Sequence, residues 1–210
     1  MALAIGILVA LVVGLVVVSI IWRAASRRWS IPCPSLLSWS LEGSLADWVA
    51  GTGRTLERMR LMPGQTILEI GPGPGRLLIP AAFRVLPGGQ AIGIDLQPKM
   101  VQRLETRARQ AGVPNLSARV GDATKLDLPD GSVDLAFLCT VLGEIPDRSA
   151  ALAECFRVLK PGGILAITEI IGDPHYQSRA KVHQLTAAAG FLPESCEGNF
   201  RIYTARFRKP

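Results

Sequence analysis

Cysteine and histidine are scarce in this chain of 210 residues. The four cysteines stand singly at Cys33, Cys139, Cys155 and Cys196. Without a C-x-x-C pair, neither a disulfide scaffold nor a zinc site built on paired thiolates is expected. His175 and His183 are too few for a multi-histidine centre, so no metal is expected. Charged residues make up 19% against 49% apolar, which excludes an intrinsically disordered chain. Collagen, coiled-coil and solenoid periods are absent. So are a basic helix, a zinc-finger spacing and an aromatic RNA-binding sheet motif. Nucleic acid is therefore not an expected partner, despite a net charge of +6.

Charge is missing altogether from one place. Mean hydropathy is +0.30, high for a soluble domain, and the excess lies in Ala2–Trp22, 21 residues without a charge. As a helix the run would be roughly 31 Å long, close to the ~30 Å hydrocarbon core of a bilayer. A secretory signal peptide fits less well, because no positive charge precedes the run and the run is too long. Residues 1–22 are therefore expected to form one transmembrane anchor. Arg23, Arg27 and Arg28 follow it, and no acid appears before Glu42. The positive-inside rule then puts the remainder in the cytoplasm, where four unpaired cysteines stay reduced.

Residues 23–54 read as a juxtamembrane segment. All four tryptophans fall at Trp22, Trp29, Trp39 and Trp48, and tryptophan favours the headgroup layer. Pro32 and Pro34 break any helix continuing from the membrane. Leu37, Leu41, Leu45 and Trp48 then recur at helical spacing. Such a helix either packs on the following domain or lies on the bilayer. Residues 23–60 carry six arginines against three acids, a bias suited to anionic lipid.

From residue 55 to 210 strands and helices alternate. Strands are predicted at 65–70, 90–96, 116–120, 133–139 and 164–171, with helices at 77–86, 98–111, 147–159 and 177–189. Two final strands, 194–198 and 201–208, meet tightly at Asn199. The alternation implies an α/β fold: a Rossmann-like, doubly wound, seven-stranded sheet, mostly parallel with the last strand antiparallel. In such sheets ligands bind beyond the carboxyl ends of the strands. The first strand runs into the loop Glu69-Ile70-Gly71-Pro72-Gly73-Pro74-Gly75. Asp95 ends the second, where a carboxylate can accept from both hydroxyls of a ribose. Gly121-Asp122-Ala123 ends the third, where Asp122 could accept from an exocyclic amine.

These residues resemble the class I S-adenosylmethionine-dependent methyltransferases of the small-molecule type. The matching stretches are the E-x-G-x-G-x-G loop of Glu69–Gly75, Gly93-Ile94-Asp95, Gly121-Asp122-Ala123, and Leu159-Lys160-Pro161-Gly162-Gly163 before the fifth strand. Nicotinamide dehydrogenases prefer G-x-G-x-x-G, whereas here the third glycine is Gly75 and Arg76 follows. The resemblance implies S-adenosylmethionine as cofactor. It implies Gly71, Gly73 and Gly75 beneath the methionine moiety, with Glu69 helping to fix it. It further implies Asp95 on the ribose, Leu96 against the adenine, and Asp122 with the Ala123 backbone at the adenine edge. The carbonyl near Cys139 would receive the cofactor's amino group, the thiol itself being inert.

The cofactor's sulfonium methyl is attacked in line, so a base is needed only if the acceptor arrives protonated. Glu144 and His175 are the candidates, His175 because it titrates near neutrality. An anchor, a Trp-rich segment and no large substrate domain favour a small or membrane-partitioned acceptor: a lipid amine, a quinone-like ring or a thiol. An arsenite methyltransferase would want clustered cysteines. The competing readings are an inactive cofactor-binding membrane scaffold and a methyltransferase acting on a soluble small molecule or protein.

Overall fold

The computed structural model describes residues 51–210, together with Gly6, Gly14 and Val17, three helical positions of the N-terminal run. The rest of the expected anchor, and the amphipathic helix expected over residues 37–48, lie outside the described residues. Among the described residues, no helix is long and apolar enough to cross a membrane.

The elements are α1 (Thr52–Met59), β1 (Thr66–Ile70), α2 (Leu78–Arg84), β2 (Gln90–Asp95), α3 (Pro98–Gln110), β3 (Leu116–Val120), β4 (Val133–Cys139), α4 (Arg148–Val158), β5 (Leu159–Ile170), α5 (Arg179–Ala188), β6 (Leu192–Gly198) and β7 (Ile202–Arg208). The strands form one seven-stranded sheet in the order β3-β2-β1-β4-β5-β7-β6. The first five run parallel, and β7 is antiparallel to both β5 and β6. Strand order reverses between β1 and β4, so a crevice opens there at the carboxyl edge.

The central strands bury both faces, which is why they read as continuous apolar runs. On β4, Leu135 and Phe137 join Leu56, Met59, Leu78 and Leu104 from α1, α2 and α3. Ala136 and Leu138 point the other way, into a core with Leu152 and Cys155 of α4 and Val182 of α5. Strand β3, at the sheet's edge, is far more exposed.

Local chemistry sets the helix ends. Asp147 caps α4, its carboxylate accepting from the Ala150 amide at 2.9 Å, and Ser178 does the same for Lys181 on α5. Pro98 opens α3, where its missing N–H costs nothing. Beyond shifts of one or two residues at element ends, two features differ from expectation. Strand β5 begins at Leu159 because Leu159 pairs with Val133 before Pro161-Gly162-Gly163 bulges out; regular pairing resumes at Leu135 and Ile164. Helix α1 was not foreseen, since its apolar side is little more than Leu56 and Met59, and glycine occupies both Gly51 and Gly53. It packs on β7, where the buried Arg206 guanidinium donates to the Met59 carbonyl.

The connection from β3 to β4 is long and carries Asp122. Arg157 of α4 pins it by donating to the Leu126 and Leu128 carbonyls at 2.9 and 2.8 Å, and to Asp130 and Glu154. Glu154 in turn accepts from the Leu126 amide at 2.7 Å. The far end of the loop is thus tied to α4 while Asp122 stays at the carboxyl edge of the sheet.

Candidate active site

The crevice is a cavity of about 520 Å³ formed by the loops after β1, β2, β3 and β4. That lies within the usual range for small-molecule sites, roughly 300–1,000 Å³. Its wall includes nine of the residues singled out from sequence: Glu69, Gly71, Gly73, Asp95, Leu96, Asp122, Ala123, Cys139 and Glu144. Two others do not reach it. Gly75 faces the helices, where a Cβ would overlap Leu104 of α3 and crowd Ile79 of α2, so its role is close packing beneath the loop. His175 is 5% exposed and sits behind the wall. Its carbonyl accepts from the Gln177 side chain at 2.7 Å, and its amide donates to Asp173 at 2.7 Å. The residue of that loop on the wall is Asp173.

Asp95 is buried and holds the glycine loop in shape. One carboxylate oxygen accepts from the Gly73 amide at 3.0 Å and the other from the Gln97 amide at 2.9 Å. Each oxygen keeps a lone pair for a ligand. Burial raises its pKa, and the two amides oppose that rise. Gly73 has φ +52, and a Cβ added there would meet nothing within 4 Å. The loop therefore leaves room above Gly73 that any side chain would begin to fill. Gly73→Ala should leave the fold intact at a cost of about 1 kcal/mol for the left-handed backbone. It should lower affinity for a ligand in this cradle by roughly tenfold. A thermal melt beside a calorimetric titration would separate the two effects.

Glu69 is 3% exposed, and its Oε2 has no partner. Burial pushes its pKa up to about 8; the Arg76 guanidinium opposes the shift and Asp95 adds to it. Arg76, also on the wall, donates to Thr52 of α1 at 2.8 Å and to the Cys139 thiol at 3.5 Å. The Cys139 thiol is pushed up to about 11 by burial, so it stays protonated and unreactive. The Cys139 carbonyl accepts from the Thr140 hydroxyl at 2.7 Å, which occupies one of its two lone pairs. Asp122 is exposed, and both the amide and the hydroxyl of Thr124 donate to it at 2.8 Å, holding its pKa below the usual range.

Arg76 was missed as a wall residue, while Asp173 stands in the same candidate loop as His175, and Thr140 stands at the end of the fourth strand, where the wall was expected. Thr140 has φ +58, a strained setting for a β-branched residue, held by its amide bonding the Thr168 carbonyl at 2.9 Å. Sequence carries no signal for that conformation. Arg76 was visible only as the residue after the last loop glycine.

The loops after β4 and β5 interlock. A Cβ at Gly143 would overlap the His175 carbonyl, so only glycine lets the two backbones meet there. Arg148 completes the lock by donating to the Leu142 and Gly143 carbonyls at 3.1 and 2.8 Å. This places Glu144 beside Val141, Ile145 and Pro146 on one side of the cavity, with Asp173 also on the wall. Asp147 caps α4, so Glu144 is not needed for that task.

Residues 68–167 match the family described as "Methyltransferase domain". These residues form a methyltransferase domain. Its cofactor is S-adenosylmethionine, and the site fits that group: a buried carboxylate with one oxygen unpartnered, an open glycine cradle and the exposed apolar Leu96 stand in the expected order. A nocamycin O-methyltransferase of Saccharothrix syringae is 35% identical over 58% of this chain and 43% of its own. A demethylmenaquinone methyltransferase of Listeria welshimeri is 32% identical over 53% and 48%. An arsenite methyltransferase of Halobacterium salinarum is 30% identical over 60% and 32%. The chain spans less than half the length of these relatives. Among solved structures, a SAM-dependent methyltransferase from Aquifex aeolicus superposes with a TM-score of 0.79 at 22% identity, over 85% of this chain and 100% of that one. The [4+2]-cyclase SpnF superposes at 0.70, also at 22% identity, over 79% and 81%. The fold therefore hosts more than methyl transfer, and the reaction must be argued from the site.

Proposed function

We propose that the methyltransferase domain acts on a small acceptor that partitions into or against a membrane, such as a lipid amine, a quinone-like ring or a thiol. The observation that carries this reading is the pairing of two regions in one cavity. Glu69, Gly73, Asp95 and Asp122 make a polar region suited to the cofactor, and Val141, Ile145 and Pro146 make an apolar strip, beside Glu144, suited to the acceptor. The uncharged run Ala2–Trp22 supports a single-pass anchor, which would concentrate apolar acceptors at the site and put the domain in the cytoplasm. Clustered thiolates of the kind arsenite would call for are not found among the described residues. Cys139 and Cys155 are buried in opposite cores and Cys196 is exposed on β6.

When bound, the cofactor supplies a sulfonium methyl open to an acceptor lone pair. Asp95 would hold the ribose, and Glu69 together with the Cys139 carbonyl would meet the amino group, which together would fix where the methyl points. The apolar wall excludes water from the line of attack. Glu144 takes the proton when the acceptor arrives protonated, since it stands on the wall while His175 does not. Transfer of labelled methyl into cell extract, split into lipid-soluble and aqueous fractions, tests the reading. Label in the lipid fraction is expected. Label confined to the aqueous fraction would overturn membrane partitioning, and none in either fraction with cofactor binding intact would favour an inactive scaffold.

A further inference from the structure

The β6–β7 hairpin presents an exposed apolar tip on a fixed turn. Phe200 is 71% exposed. The turn beneath it is tightly bonded: the Asn199 carboxamide oxygen accepts from the amides of Arg201 and Ile202 at 2.9 and 3.1 Å. Arg179 of α5 donates to the Gly198 and Asn199 carbonyls at 3.2 and 3.0 Å. A large apolar side chain is thus held out in water by a turn built to hold it, an arrangement that needs a reason. Ile171, 49% exposed, joins it, because its amide donates to the Arg201 carbonyl at 2.8 Å. Exposed cationic side chains at the tip include Arg179 and Arg201, the latter 5.5 Å over the Phe200 ring; the Arg58 guanidinium also reaches the turn beside Gly198.

The tip's place in the fold selects what it meets. Ile170 pairs with Ile202, so the hairpin turn lies at the carboxyl edge of the sheet, the edge on which the cavity opens. Ile171 is two residues from Asp173 on the cavity wall. Gly51, where the continuous described stretch begins, lies at this edge too: a Cβ there would sit 3.7 Å from the Ile202 side chain. The chain that precedes Gly51 in sequence carries the uncharged run, the tryptophans and three early arginines, and Gly51, its point of attachment, lies beside this tip. Apolar side chains flanked by cations complement an anionic lipid surface.

We propose that the hairpin tip, through Phe200, Ile171, Arg179 and Arg201, docks on an anionic bilayer and turns the cavity mouth toward it. The inference rests on the membrane-anchor reading of residues 1–22 and adds an orientation to it. The test uses the full chain reconstituted into vesicles of equimolar phosphatidylcholine and phosphatidylglycerol, with photoreactive benzoylphenylalanine at position 200. Phe83 is the control position: it is also exposed but lies toward the end of α2, where the chain turns back to the start of β2 at the opposite edge. Flotation of the vesicles reports the anchor, and the position of lipid adducts reports the orientation. Lipid adducts at 200 and few at 83 are expected. Arg201→Glu should cut the adduct at 200 by at least about fivefold, and pure phosphatidylcholine should do likewise. A floating chain with equal adducts at both positions, or none at 200, would overturn the orientation and leave the anchor standing. A cross-link at 200 to a second copy of the chain would overturn it in favour of a protein interface. A chain that does not float and gives no adduct would overturn both.

Discussion

Asp95→Ala is expected to weaken S-adenosylmethionine binding by about a hundredfold or more. On the proposed placement, two charge-assisted hydrogen bonds to the ribose would be lost, each worth about 1.5–3 kcal/mol. A second loss adds to the first. The same carboxylate holds the Gly73 and Gln97 amides, at 3.0 and 2.9 Å, so alanine also frees the loop that lies under the cofactor. Asp95→Asn separates the contributions. Its amide NH₂ must face one of those backbone N–H groups, so the loop loses one bond while the side chain keeps an acceptor. Its affinity should fall between wild type and alanine. Calorimetric titration checks the series, and unchanged affinity in the alanine variant would remove Asp95 from the cofactor site.

Glu69→Gln should have opposite effects on stability and on binding. The buried Glu69 carboxyl has its pKa raised to about 8 from 4.5. An acid whose folded pKa is raised lends stability that is fully present below the unfolded value, and this is lost as pH rises through the folded one. Glutamine imitates the protonated acid at every pH. Glu69→Gln should therefore match wild type near pH 5 and exceed it by on the order of a few kcal/mol near pH 9. Glu169 is also pushed up to about 8, chiefly by burial, but is present in both proteins, so the difference isolates Glu69. Cofactor binding runs the other way. On the proposed placement the ionised carboxylate would pair with the ammonium, so wild-type affinity should climb as pH rises toward 8, with release of a proton. In Glu69→Gln that slope should vanish and affinity at pH 8 should drop roughly tenfold or more. Melting curves and titrations in two buffers of different ionisation enthalpy check both halves. A variant with wild-type affinity and pH slope would mean Glu69 does not meet the amino group.

The parts legible in the sequence were those where one residue type answers one physical demand. The central strands were visible because burial on both faces requires unbroken apolar runs, as in Val133–Cys139. Asp95 and Asp122 were visible because each stands at the carboxyl end of a strand, where the sheet topology gathers ligands. The antiparallel β7 was visible from two strands with no helix between them. Contacts between distant segments were not legible. Placing His175 behind the wall depends on Gly143 letting the two loops touch, a fact about two backbones 32 positions apart. Arg76 gains its role from Thr52, Glu69 and Cys139, which no local pattern joins to it. The α1 helix owes its place to β7 more than to its own sequence.

The contact between Gly143 and His175 bears on how such a domain can acquire a new acceptor. Loops of enzymes commonly diverge by gaining or losing residues, each changing length without regard to the other. Here the two acceptor-side loops are keyed together, and Arg148 holds one of them by its own carbonyls. Lengthening either would pull the key out of register and move both walls at once. Divergence of acceptor preference in this scaffold is thereby channelled into exchanges of side chains at Val141, Glu144, Ile145 and Asp173, with the loop lengths kept.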